Sequence, residues 1–127
     1  MKKLILTFSL IVFGTFTYAQ STLDNALKAP VAQMKTAKTV QDFDNLFATF
    51  SSLTTSNDAA NRWKAYYYAG MAQYKKGELL INSGNKSAAI ETNAMAYKFV
   101  AGGVPATNAD GKKLLDLISL QRKKISN

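Results

Sequence analysis

The sequence predicts an all-α domain that follows an export signal. Three observations predict this fold class: apolar residues recur at spacings of three and four, no stretch alternates apolar and polar residues long enough for a strand, and β-branched residues are sparse. The length of 127 residues suits one domain. We therefore expect about five helices, arranged as antiparallel hairpins joined by short turns.

The composition excludes several kinds of chemistry. With 0 Cys and 0 His, the chain has no thiolate or imidazole metal ligand, no Cys nucleophile, no Ser-His triad and no disulfide. Its glutamates are Glu78 and Glu91, and we expect each to be solvated or paired with a lysine rather than to form a catalytic pair. The sequence therefore predicts a non-enzymatic protein that uses no metal or cofactor.

The N-terminus has the three parts of a secretory signal peptide. Lys2 and Lys3 precede a mainly apolar run over 4–16, and small residues at Thr17 and Ala19 mark a cleavage site. The run is too short to span about 30 Å of hydrocarbon as a helix. We expect 1–19 to be removed, which lowers the formal net charge from +8 to +6. The exported remainder, 20–127, is predicted to be periplasmic or secreted, without a permanent membrane span and without a nucleic-acid partner.

The first two helices are predicted over 23–37 and from position 40 to about 53. Pro30 lies inside the first, so that helix is expected to kink or to begin there. Thr39 and Asp42 have the spacing of a capping box at the start of the second. The apolar residues of the second helix share one face; they are Val40, Phe43, Phe47 and Phe50.

The third predicted helix, 58–82, has two opposed apolar faces. Trp63, Tyr67 and Tyr74 fall on one, and Ala65, Tyr68 and Ala72 fall on the other. A helix that lies on a single core needs only one such face. We therefore expect neighbouring helices on both sides of it, with the aromatic rings of the first face packed in the core.

The last two helices are predicted over 86–101 and 109–125. The fourth has a narrow polar strip and should be largely buried, including its side formed by Ile90, Ala94 and Tyr97. Gly102 and Gly103 are expected to end it. The apolar face of the fifth helix consists of Leu114, Leu117, Ile118 and Ile125, and its opposite face is polar. Thr107 and Asp110 have the spacing of a second capping box.

Residues 66–77 resemble the first helix of a tetratricopeptide repeat. Tyr66 stands at the tryptophan position of that pattern, Gly70 at its small residue and Gly77 at its turn glycine; Ala89 and Ala96 have the small-residue spacing of its second helix. The overall layout also resembles a group of small, uncharacterised bacterial secreted proteins with such hairpins. The resemblance implies a tetratricopeptide-like α-solenoid fragment with a general binding role and no reaction.

Two functions are predicted on these grounds. The first is an exported interaction module that binds a peptide or protein partner in a helical groove, with Tyr66 and Tyr68 as candidate contacts. The second uses a basic tract in the last helix to hold anionic lipid or polysaccharide; its cations are Lys112, Lys113, Arg122, Lys123 and Lys124. A plain solubilising role for that tract stays open. So does self-association, because two and a half hairpins is near the minimum for a stable stack.

Overall fold

The computed structural model describes residues 22–127, which form five helices and no strand. The helices are α1 (Thr22–Met34), α2 (Val40–Leu53), α3 (Arg62–Asn82), α4 (Lys86–Gly103) and α5 (Ala109–Ser126). The all-α prediction and the expected five helices are therefore confirmed for this part of the chain. The predicted signal peptide, 1–19, lies outside the described residues, as does its cleavage site after Ala19.

Helix α3 is central and packs against all four other helices. It runs antiparallel to α2, because Asp44 pairs with Lys76 near one end and Phe50 stacks on Tyr68 further along. It also runs antiparallel to α4, because Gly70 lies against Val100 while Tyr66, earlier in α3, lies against Gly103, later in α4. Helix α5 instead follows the direction of α3, as the successive contacts of Gln121 and Lys124 with α3 show. The hairpins are thus antiparallel, as expected from the short turns.

Two main hydrophobic clusters lie against α3, which confirms its two-sided pattern. The first is built on α1 and α2 and reaches Ala69 and Ala72 of α3; its large members are Leu23, Leu27, Met34, Phe43, Leu46 and Phe50. The second joins α4 and α5; its buried members are Ala96, Val100, Val104, Leu114 and Ile118. Trp63, Tyr67 and Tyr74 are partly buried against this second cluster. Small residues on α3 bring the neighbouring helices close, as at Gly70, which lies against Val100.

The capping box at α2 is present as predicted. The backbone N–H of Asp42 donates to the Thr39 hydroxyl at 3.0 Å, while the N–H groups of Thr39 and Lys38 donate to the Asp42 carboxylate at 3.1 and 2.9 Å. These bonds to the charged form hold the pKa of Asp42 below its usual 3.8. The box fixes where α2 begins and how the chain enters it.

The second predicted capping box is wrong. Asn108, not Thr107, caps α5, and its side-chain oxygen accepts from the Gly111 N–H at 2.8 Å. Asparagine is as good an N-cap as any residue, and threonine is also a good one. Either side chain could therefore cap α5, and the position at which the helix begins decides which one does. Three helix limits also differ from the prediction. Helix α1 spans Thr22–Met34, so it does not begin at Pro30 and it ends three residues before the predicted position 37. Helix α3 begins at Arg62, and α4 continues through Gly102 and Gly103 and is capped by Val104.

The expected burial of α4 is wrong on one side. Ile90 is 50% exposed and Tyr97 is 53% exposed, and Ala94 between them is exposed as well. Leu117, expected on the buried face of α5, is 42% exposed at the edge of that face. The reason is shared: α4 and α5 end the stack, and within the described residues no further helix covers their outer sides.

Candidate functional site

A groove of about 350 Å³ runs between α1 and α3. We call it the α1–α3 groove; its walls are formed by Asp24, Leu27, Lys28, Val31, Ala32, Lys35, Lys64 and Tyr68. Apolar atoms, which include the stems of the lysines, make most of the exposed lining. The groove follows from the sequence of α1, where Leu27 and Val31 face the core while Lys28, Ala32 and Lys35 stay at the surface.

Tyr68 packs against two aromatic neighbours beside this groove. Its ring stacks on Phe50 with centroids 5.4 Å apart and meets the edge of Tyr67 at 5.1 Å. Such aromatic packing holds the ring in place while its other side still lines the groove. The structure therefore places the sequence candidate Tyr68 where it offers a preformed apolar contact.

The charges around the groove are mainly positive. Lys64 reaches across from α3 to α1, with its amine 3.2 Å from the carboxylate of Asp24. Lys28 and Lys35 are exposed along the α1 wall. Three cations against one carboxylate give this surface the sign that suits an acidic ligand.

Tyr66, the other aromatic candidate, lies in a different place. It packs directly against Gly103 and tilts over Phe99 with ring centroids 6.0 Å apart. It lines a separate cleft of about 420 Å³ at the C-terminal end of α4, together with Trp63 and Pro105. The structure thus does not bring Tyr66 and Tyr68 together.

The five candidate cations of α5 differ in their surroundings: some contact side chains of other helices, and the rest are exposed at the surface. The Lys124 amine is 2.9 Å from the Glu78 carboxylate, and the Arg122 guanidinium donates to the Asn93 side-chain oxygen at 3.4 Å. Lys112, Lys113 and Lys123 are exposed at the surface. The structure therefore leaves three of the five candidate cations directed to solvent.

Sequence reasoning missed two features of this end of the molecule. A largely apolar pocket of about 240 Å³ lies below the loop between α4 and α5, walled by Val100, Ala101, Val104 and Leu115. Leu120 is 57% exposed and lies among the lysines of α5. The helical pattern offered one signal for Leu120, since that residue falls outside the apolar face of α5.

The ionisable groups of α3 are tuned by packing against α5. Burial raises the pKa of the Tyr67 phenol, and Asp110 and Tyr68 add to that rise. Burial likewise raises the pKa of Tyr74, and the carboxylate of Glu78 raises it further against the opposing effect of Lys124. Both phenols therefore remain neutral hydrogen-bonding groups and not bases at neutral pH.

Within residues 22–127, no three acidic side chains approach each other closely enough to bind a metal ion. None of the five described helices is long and apolar enough to cross a membrane. Comparison with family models, with curated proteins and with solved structures finds no match for this chain.

Proposed function

We propose that this protein is an exported, non-enzymatic interaction module that binds a peptide segment of a partner protein in the α1–α3 groove. The observation that carries the proposal is the groove itself, with Tyr68 stacked on Phe50 and an apolar floor bordered by lysines. Small, mostly apolar concavities with a few fixed polar groups are the usual form of a binding site. Support also comes from the resemblance of residues 66–77 to a tetratricopeptide repeat, which implies peptide binding between helices.

The groove specifies a kind of peptide. An apolar side chain fits against Tyr68 and Val31, while flanking Asp or Glu residues would meet Lys28, Lys35 and Lys64. A dissociation constant of about 1–100 μM is expected for such a short contact. An acidic peptide with one or two apolar anchors is thus the ligand that the groove favours.

Selection of peptides on immobilised protein tests this proposal. Selected sequences should combine an apolar anchor with acidic neighbours, and Ala32→Glu should weaken their binding at least about tenfold by filling the groove and repelling them. Ala29→Glu is the matched control, because Ala29 is also an exposed alanine of α1 but does not line the groove. Selected peptides that bind equally well to both variants would refute the proposal.

A second candidate function is the attachment of the exported protein to an anionic lipid or polysaccharide through α5. It is favoured by the exposure of Lys112, Lys113 and Lys123 on one terminal helix. Neutralising these residues should weaken binding to an anionic polymer and reduce its dependence on salt. The same substitutions should leave binding of groove-selected peptides unchanged, which separates the two functions.

A further inference from the structure

Two leucines and two lysines form one stripe along the outside of α5. Lys113, Leu117, Leu120 and Lys124 are spaced by four, three and four residues, so they follow one another along a single helix face. Leu117 is 42% exposed and Leu120 is 57% exposed. The stripe therefore presents an apolar centre with a cation at each end.

Two further lysines lie about a quarter-turn away on one side of this stripe. Lys112 and Lys123 are exposed on the same helix, and the side chain of Lys124 stays 52% exposed although its amine pairs with Glu78. Asp116 is the one acidic side chain of the tract from 112 to 124. The surface around the two leucines thus carries a clear excess of positive charge.

We propose that this face of α5 lies on the surface of an anionic lipid bilayer, with Leu117 and Leu120 entering the boundary between headgroups and acyl chains. The inference rests on the second candidate function and narrows it to one ligand. Long lysine side chains reach headgroup phosphates while their stems cover apolar surface. Basic residues close to an anionic membrane contribute affinity additively, and buried leucines add a contribution that salt does not screen.

The leucines distinguish a bilayer from other anionic ligands. A polysaccharide has phosphates or carboxylates for the lysines but offers no apolar phase to Leu117 and Leu120. A second copy of the chain would cover the leucines, but in either direction of packing it would also bring the lysines at the ends of the stripe close to those of the other copy. A bilayer satisfies the leucines and the lysines together.

Vesicle flotation tests this inference. The protein is purified from the periplasm of an expressing bacterium, its N-terminus is determined by mass spectrometry, and it is mixed with vesicles of phosphatidylcholine containing about 30 mol% phosphatidylglycerol or none. We expect binding only to the anionic vesicles, with weaker binding as NaCl rises from about 0.05 M to about 0.5 M.

Three variants locate the binding face. Leu117→Ser/Leu120→Ser should lower the partition coefficient about tenfold, and Lys112→Gln/Lys113→Gln/Lys123→Gln about a hundredfold. The matched charge control, Lys28→Gln/Lys35→Gln/Lys38→Gln, removes as many exposed lysines from the other end of the protein and should reduce binding much less. Circular dichroism confirms that each variant is folded.

Each alternative outcome overturns the inference in a distinguishable way. Absence of binding to anionic vesicles, or equal losses in the two lysine variants, rejects the α5 face as a membrane surface. Leucine variants that bind anionic vesicles as tightly as the parent protein would leave α5 as a polyanion site, which retains the second candidate function alone. Self-association without lipid that disappears in the leucine variant would assign the face to a second copy.

Discussion

The side-chain amide of Asn93 donates to the backbone carbonyl of Ile118 at 2.9 Å and to Oε1 of Gln121 at 3.0 Å. Nε2 of Gln121 in turn donates to the Tyr74 carbonyl and to the Glu78 carboxylate, each at 2.9 Å. Asn93 is 0% exposed and Gln121 is 1% exposed. These bonds connect α3, α4 and α5, and they fix the position of the terminal helix on the stack.

Replacing Asn93 by Leu should lower the free energy of unfolding by about 2–3 kcal/mol, because it leaves the buried side-chain oxygen of Gln121 without its donor and removes the additional donor to the Ile118 carbonyl. Urea unfolding followed by circular dichroism measures this change. Gln121→Met alone should also destabilise the protein. In the double variant Asn93→Leu/Gln121→Met, the loss should be smaller than the sum of the two single losses, since both ends of the central bond become apolar. Additive losses would show that the two amides act independently.

Two adjacent glycines at the end of α4 should respond oppositely to alanine. A Cβ on Gly103 would overlap the ring of Tyr66, whereas a Cβ on Gly102 would meet nothing within 4 Å. We expect Gly103→Ala to cost about 2 kcal/mol through overpacking and Gly102→Ala to stabilise the helix by about 0.5 kcal/mol. Thermal unfolding of both variants measures the difference. Similar melting temperatures would contradict the close packing of Tyr66 on α4.

The elements that sequence reasoning predicted well are those fixed by local interactions. The capping box of Thr39 and Asp42 depends on residues within one turn, and the single apolar face of α2 depends on spacing along one helix. The opposed faces of α3 also follow from spacing, because each face must be covered by some neighbour. Tyr68 is a candidate contact because it belongs to the group of aromatic residues on α3, whereas the groove beside it depends on the position of α1.

Most of the features that the sequence did not predict depend on which neighbouring helices are present and where they end. The apolar side of α4 formed by Ile90 and Tyr97 has the pattern of a buried face, and only the absence of a covering helix among the described residues exposes it. The amides of Asn93 and Gln121 have no sequence pattern, since their partners lie on other helices. Thr107 and Asn108 compete for one cap, and local geometry decides between them.

Glu78 should make stability depend on pH in the acidic range. Burial alone would raise its pKa, but hydrogen bonds from Gln121 and Lys124 and the charge of Lys124 together hold the pKa below its usual 4.5. Because the pKa of Glu78 is depressed in the folded state, its contribution to the free energy of unfolding is fully present above its unfolded-state pKa. That contribution is lost as the pH falls through its folded-state pKa. The melting temperature should therefore fall more steeply below about pH 4.5 in the parent protein than in Glu78→Gln.

Comparing Glu78→Gln with the parent protein isolates the pH dependence that is due to Glu78. Asp42, whose pKa is also lowered, is present in both proteins. Melting temperatures recorded from neutral pH to about pH 3 should give two curves that converge at the acidic end. Curves that stay parallel over that range would show that the bonds from Gln121 and Lys124 to the Glu78 carboxylate do not stabilise the protein.

The exposed side of α4 gives a final prediction, based on the contrast between Tyr97 and Val100. Tyr97→Ser and Ile90→Ser should each change the free energy of unfolding by less than about 1 kcal/mol, because both side chains are about half exposed. Val100→Ala should cost about 1–3 kcal/mol, since Val100 is 1% exposed and lies against Gly70. Urea unfolding of the three variants tests this order. A large loss at Ile90 or Tyr97, at a protein concentration where the parent associates with itself, would show that this side of α4 is covered by a second copy and not by water.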